Sequence, residues 1–159
     1  MRVLMFLVGA LLAIPGSASA GDLISGTNTY TTVERWWNTT DGSGYYMYDS
    51  EGQFGAMSGP IPDGPVECHG AGFWSPKMID GEGICIFGAP PDRWTVQFKN
   101  ELMPRAARGT EAFRRKGVWT VVNGSGKYFG MTGYGTFATG PTVDMKKTTH
   151  WEGEVELPQ

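Results

Sequence analysis

The stretch Val121-Val-Asn-Gly-Ser-Gly-Lys-Tyr-Phe-Gly-Met-Thr-Gly-Tyr-Gly-Thr-Phe137 constrains the fold more tightly than any other. Val118 to Val122 is β-branched and aromatic, Asn123 to Gly126 supplies residues that tolerate positive φ, and Lys127 to Phe137 has the composition of a returning strand. A β-hairpin is the expected form. Its second strand holds Gly130, Gly133 and Gly135, and glycine inside a strand loses backbone entropy and brings no packing. Three in one strand point to sharp bending or to close approach of another backbone, as at the corner of a barrel. The whole chain shares this bias, since 24 of its 159 residues are Gly, about twice the ordinary share. With 13% aromatic residues and no collagen period, the excess predicts many tight turns in an all-β fold rather than disorder.

Strand signals recur at short intervals along the rest of the chain. Gly26 to Trp37 is Thr-rich and aromatic, Asn38 to Gly44 is a turn, and Tyr45 to Tyr48 opens a second strand. Glu51 to Pro65, dense in Gly and Pro, predicts a short strand around Gln53 to Met57 followed by a loop over a barrel rim. Glu67 to Trp74, Glu82 to Phe87, Asp92 to Phe98 and Lys146 to Leu157 supply further strands. The count is eight or nine, with short connections and no linker, which predicts one closed antiparallel barrel over residues 21–159. Leu102 to Lys116 carries Arg105, Arg108, Arg114, Arg115 and Lys116, with Glu111 its one acid, and Pro104 and Gly109 interrupt it. It reads as a solvated basic loop or a single helical turn.

Residues 1–20 read as a leader. Arg2 is followed by the apolar run Val3 to Ile14 and then by Pro15-Gly-Ser-Ala-Ser-Ala20, the small-x-small pattern that signal peptidase cuts. The run is too short to span about 30 Å of hydrocarbon, so no transmembrane span is expected after cleavage, and the product is periplasmic or extracellular. A formal net charge of −3 argues against nucleic acid as a partner, because phosphate binding needs a positive footprint. Cys68 and Cys85 are the only two cysteines. If their strands form a hairpin centred between Pro76 and Lys77 they are directly opposite, and an exported protein would join them in a disulfide worth on the order of 3 kcal/mol. A free reactive thiol is the alternative.

The run from Val122 to Gly135, Val-Asn-Gly-Ser-Gly-Lys-Tyr-Phe-Gly-Met-Thr-Gly-Tyr-Gly, resembles the Gly-Gly-Thr-Gly-x-Phe-x-x-Ala-x-Gly-x-x hairpin of the allene oxide cyclase and dirigent superfamily, shared by small secreted bacterial proteins. The resemblance covers one hairpin. It implies an eight-stranded antiparallel barrel around an apolar cavity, often trimeric in the plant members. Thr132 occupies the place of an Arg implicated in the dirigent pocket, so the analogy puts Thr132 and Tyr134 inside. Thr132 supplies no cation for an oxyanion or quinone methide, and a role in phenoxy-radical coupling is not expected. The hydrophobic pattern instead buries the Phe129, Met131 and Phe137 side. Both readings hold together only if another subunit, as in a homotrimer, covers the outer wall.

No nucleophile elbow, zincin motif, phosphate loop or dinucleotide fingerprint is present. Two local arrangements remain. Glu67 and His69 share one strand face, as do His150 and Glu152. Pointed into a barrel, Glu67, His69 and His150 could serve as acid/base groups; on the outside they are ordinary surface residues. Cys68 faces opposite to Glu67 and His69, so a disulfide on the outer wall would send both inward. The second arrangement is aromatic. Tyr46 and Tyr48 share a face, and with Trp94, Thr132, Tyr134 and Trp151 they are the candidate lining of a ligand cavity, though such rings also fill cores.

These observations lead to a cofactor-free, metal-free barrel that binds a small apolar or aromatic molecule. A cofactor-free isomerase or cyclase using Glu67, His69 and His150 is the second reading. A structural envelope protein with a filled barrel is the third. The space left inside separates them: a solid core favours the plug, an open cavity the binder, and a cavity with convergent Glu and His the enzyme.

Overall fold

A computed structural model describes residues 21–76, 78–101, 103–104 and 115–158. The leader at 1–20 and nearly all of the basic segment at 102–114 lie outside the described residues. Eight long antiparallel strands are present: β1 (Asp22–Asn38), β2 (Gly44–Ser58), β3 (Gly64–Trp74), β5 (Glu82–Ala89), β6 (Asp92–Asn100), β8 (Arg115–Gly124), β9 (Thr132–Thr139) and β10 (Lys147–Glu156). They run in the order β2-β1-β10-β9-β8-β6-β5-β3, and β3 pairs back to β2, which closes the barrel. Two two-residue strands, β4 (Met78–Ile79) and β7 (Met103–Pro104), extend the end of β3. Among the described residues no helix is long and apolar enough to cross a membrane.

The chain alternates on every wall strand, and the inward set is readable from burial. On β1, β2, β3 and β6 the even-numbered residues point in; on β5, β8, β9 and β10 the odd-numbered ones do. Cys68 and Cys85 are direct partners across β3 and β5 and form the disulfide. It lies inside the barrel, with both residues buried, so the condition that would have turned Glu67 and His69 inward, a bridge on the outer wall, is not met. Val66 and Cys68 on β3 and Cys85 and Phe87 on β5 form one apolar face, and burial of that face sends Glu67 and His69 outward.

Three boundaries differ from expectation. β2 is a single uninterrupted strand, because Gly52 and Gly55 stay in the ladder opposite Tyr30 and Thr27. β5 and β6 meet in a two-residue turn at Pro90–Pro91, a cis peptide, with Ala89 opposite Asp92. In the signature hairpin, Lys127 to Met131 is not strand. Gly126 (φ 57°) and Gly130 (φ 88°) adopt left-handed backbone, and a 3-10 turn at Gly126–Tyr128 folds Tyr128 and Met131 under the barrel before β9 begins.

The glycines of the inner wall make room for rings on neighbouring strands. A Cβ at Gly135 would lie 2.6 Å from Trp119, and one at Gly70 would lie 2.5 Å from the Tyr48 ring. The end of the barrel holding the β2–β3, β5–β6 and β8–β9 turns is filled as a result. Phe87 stacks on Trp94 (4.3 Å between centroids) and meets Phe54 and Trp151 edge-on, while Trp119 donates its indole N–H to the Thr136 carbonyl at 3.1 Å.

Candidate ligand-binding cavity

At the opposite end the barrel is not filled. A cavity of about 730 Å³ opens between the upper halves of β1 and β2, the tops of β8, β9 and β10, and the β9–β10 connection at 140–146. That volume lies in the range of small-molecule pockets, roughly 300–1,000 Å³. It opens where pairing runs out: β10 reaches only Tyr30 of β1, so Thr31 to Asn38 has β2 on one side and, among the described residues, no strand on the other. Phe98, Phe137, Trp151 and the Cys68–Cys85 bridge form an apolar floor.

Above the floor the walls become polar. Asn28, Ser50, Asn100, Thr139 and Thr149 are buried. Most of this belt is internally paired. The Tyr30 and Thr149 hydroxyls are 2.6 Å apart, Thr149 and Thr139 2.8 Å, and Thr32 and Ser50 2.9 Å. Two groups are not paired. Neither atom of the fully buried Asn28 amide has a hydrogen-bond partner among the described residues, nor does the Trp151 indole N–H. An unpartnered buried polar group costs about 1–3 kcal/mol, so it marks a place where stability has been given up.

The charged residues of the cavity sit at its mouth. Lys147 pairs with Glu34, which also accepts the Trp36 indole N–H at 3.2 Å. Burial pushes the Glu34 carboxyl up, but Lys147, Arg115 and the Trp36 bond together outweigh it, and its net shift is downward. Arg115 lies 5.3 Å from the ring centroids of both Tyr46 and Tyr48, a cation–π arrangement. Burial raises the Tyr48 hydroxyl well above the ordinary phenol value against the pull of Arg115, so it stays protonated. Tyr46 is buried behind it, stacked on Trp36 at 5.0 Å and donating to the Asp80 carbonyl at 2.7 Å.

The structure sorts the sequence candidates clearly. Tyr48 and Trp151 line the cavity directly, and Tyr46 backs it. Trp94 points inward but belongs to the filled end, where it borders only a cleft of about 210 Å³. Thr132 and Tyr134 are on the outer surface, Tyr134 63% exposed, because the Phe137 and Thr139 side of β9 is the one buried. Glu67, His69 and His150 do not converge inside the barrel. His69 is exposed on the outer wall with its Nδ1 2.7 Å from Asp49, and His150 is exposed on β10 with its Nδ1 3.1 Å from the Thr27 hydroxyl. Two strands, β1 and β2, separate β3 from β10, so no common site forms. Among the described residues no group of three or more His, Cys, Asp or Glu is placed to hold a metal.

Sequence reasoning missed Asn28, Tyr30, Glu34 and Arg115. The first three lie at two- and four-residue spacing on β1, a usable signal, but both faces of that strand are polar and aromatic. Arg115 was hidden in a basic run that looked like loop, whereas it is the first residue of β8 and points inward over the tyrosines. No protein-family model matches the chain. No curated protein matches it either.

Proposed function

We propose that this protein is an exported barrel that binds a small apolar or aromatic molecule in the cavity at its open end. The observation that carries the reading is the cavity itself: about 730 Å³ over an aromatic floor, in a barrel whose other end is packed. That space weighs against a filled plug. The outward-facing positions of Glu67, His69 and His150 weigh against the isomerase reading. The leader-like residues 1–20 and the Cys68–Cys85 bridge support export to an oxidising compartment. The hairpin resemblance together with an eight-stranded closed barrel supports a place in the allene oxide cyclase and dirigent superfamily.

The test is a thermal-shift and tryptophan-fluorescence survey of the mature protein with apolar and aromatic compounds. Trp36 and Trp151 border the cavity and report occupancy. A compound at a hundredfold its Kd adds about 2.7 kcal/mol to folding stability, a readily visible rise in Tm. Thr32→Trp, which places a large ring in the mouth without touching the filled end, is expected to abolish the shift. Silence across the survey, or binding that Thr32→Trp leaves intact, would sink the reading.

A further inference from the structure

We infer that the cavity is built for a two-ended ligand: a ring body carrying one alcohol or phenol hydroxyl at its inner end and one negative charge at its outer end. The inference rests on the binding reading above and specifies its ligand class.

The inner end is defined by what the wall leaves unpaired. Asn28 is diagonal to Trp151 on the inner face, since Gly26 pairs with Trp151 and Asn28 with Thr149. Three polar groups on these two diagonal neighbours lack partners among the described residues: the Asn28 carbonyl oxygen, its NH2 group and the Trp151 indole N–H. The hydroxyls around them are already engaged with one another. An acceptor and donor groups on the same two residues suit a hydroxyl, which both donates and accepts hydrogen bonds. A carbonyl would leave the Asn28 oxygen unmet, and an ammonium would face two donors.

The outer end is defined by charge. Glu34 is the single acid lining the cavity among the described residues, and it is matched by Lys147. Arg115 is the remaining cation. It lies over the faces of Tyr46 and Tyr48 and acts on Glu34 from beyond ion-pair distance, with no carboxylate at ion-pair distance among the described residues. In a chain of net charge −3 the cavity lining is thus net positive by one, which suits a monoanion such as a carboxylate. Phe137, Phe98 and Trp151 between the two ends supply the surface against which a ring body packs.

Three probes that share one ring system separate the contributions: 6-hydroxy-2-naphthoate, 2-naphthoate, which lacks the hydroxyl, and 2-naphthol, which lacks the charge. Titration calorimetry on the mature protein should rank 6-hydroxy-2-naphthoate tightest. Loss of the hydroxyl should weaken binding by roughly 3- to 10-fold and loss of the carboxylate by roughly 10-fold or more. Asn28→Leu should erase the hydroxyl preference and keep the carboxylate preference, and Arg115→Gln should do the reverse. The Tm of ligand-free Asn28→Leu provides an independent readout. It should equal or exceed that of the wild type, because an unpartnered amide is exchanged for an apolar group of similar volume; a large fall would assign Asn28 to the wall and overturn the inference. Equal affinity for all three probes, or a hydroxyl preference that survives Asn28→Leu, overturns the inference and leaves the binding reading intact. Silence with these probes while other apolar compounds bind does the same, and silence with every compound overturns both.

Discussion

At the end of the barrel where β2–β3, β5–β6 and β8–β9 turn, the inward positions carry Phe54, Val66, Phe87, Trp94, Trp119 and Val155. At the other end the same strands carry Ser50, Asn100, Thr149, Lys147, Arg115 and, from β1, Asn28 and Glu34. β10 shows the change within one strand: Val155 and Gly153 belong to the packed region, Trp151 forms part of the cavity floor, and Thr149 and Lys147 stand on its walls. Closure of the barrel places both sets inside, so inward orientation alone does not decide what a residue does. The packed end supplies most of the apolar burial that holds the strands in register. The open end keeps buried amide and indole groups without partners among the described residues, a cost in stability that the packed end does not bear at Trp119.

A pair of tryptophan deletions would break this contrast most directly. Trp119 is almost fully buried, makes ring contacts with Trp94 and Trp151, and has its N–H satisfied. Trp119→Ala should cost about 3–5 kcal/mol in denaturant unfolding, a large part of a typical total of 5–15 kcal/mol. Trp36, at the cavity mouth and 43% exposed, loses mainly its stacking on Tyr46. Trp36→Ala should cost about 1 kcal/mol. Equal losses would mean that the open end carries as much of the stability as the packed one.

Glycine substitutions sharpen the same comparison at smaller magnitude. A Cβ at Gly135 would approach the Glu152 carbonyl oxygen to 2.0 Å as well as the Trp119 ring. The carbonyl belongs to the ladder and cannot give way, so Gly135→Ala should destabilise by about 1–3 kcal/mol. At Gly140, in the connection bordering the cavity, the nearest atom would be the Thr148 carbonyl oxygen at 3.7 Å, an ordinary contact. Gly140→Ala should change the unfolding free energy by less than about 0.5 kcal/mol.

The packed end was the more legible of the two in the sequence. Gly and aromatic residues alternate across its strands, and the pairing of Cys68 with Cys85 was legible from an even cysteine count together with the hairpin expected around them. The side of the barrel on which that pair sits was also written in the chain, in the contrast of Val66 and Cys68 with Glu67 and His69. The acid/base reading required Glu67 and His69 inside, but the apolar alternation governs which face is buried. Lys127 to Met131 looked extended by composition, but Gly126 and Gly130 in left-handed backbone convert it to a turn that tucks Tyr128 and Met131 beneath the core. The open end offered little contrast to read. β1 is polar on both faces, so which of Asn28 and Thr29, or Glu34 and Arg35, faces inward depends on the register with β2 and β10.

The smallest expected effect is electrostatic and belongs to the open end alone. Glu34 has its carboxyl held below the ordinary value once Lys147, Arg115 and Trp36 have outweighed burial. A carboxyl whose folded pKa is depressed contributes stability that is present above its unfolded pKa, about 4.3, and is lost as pH falls through the lower folded value. Glu34→Gln removes that contribution and keeps the side-chain size. The variant should therefore be less stable than wild type at pH 6, by no more than about 1 kcal/mol because the pair is partly solvated. The gap should close as the pH is lowered to about 3 and below. The unfolding free energies of the two proteins, measured by urea titration across this range, check the sign. A gap unchanged down to that acidity would show that Glu34 acts through packing rather than charge. A variant more stable than wild type at pH 6 would show that the cost of partly burying the ion pair exceeds its attraction. Either outcome would alter the charge balance at the cavity mouth on which the monoanion preference rests.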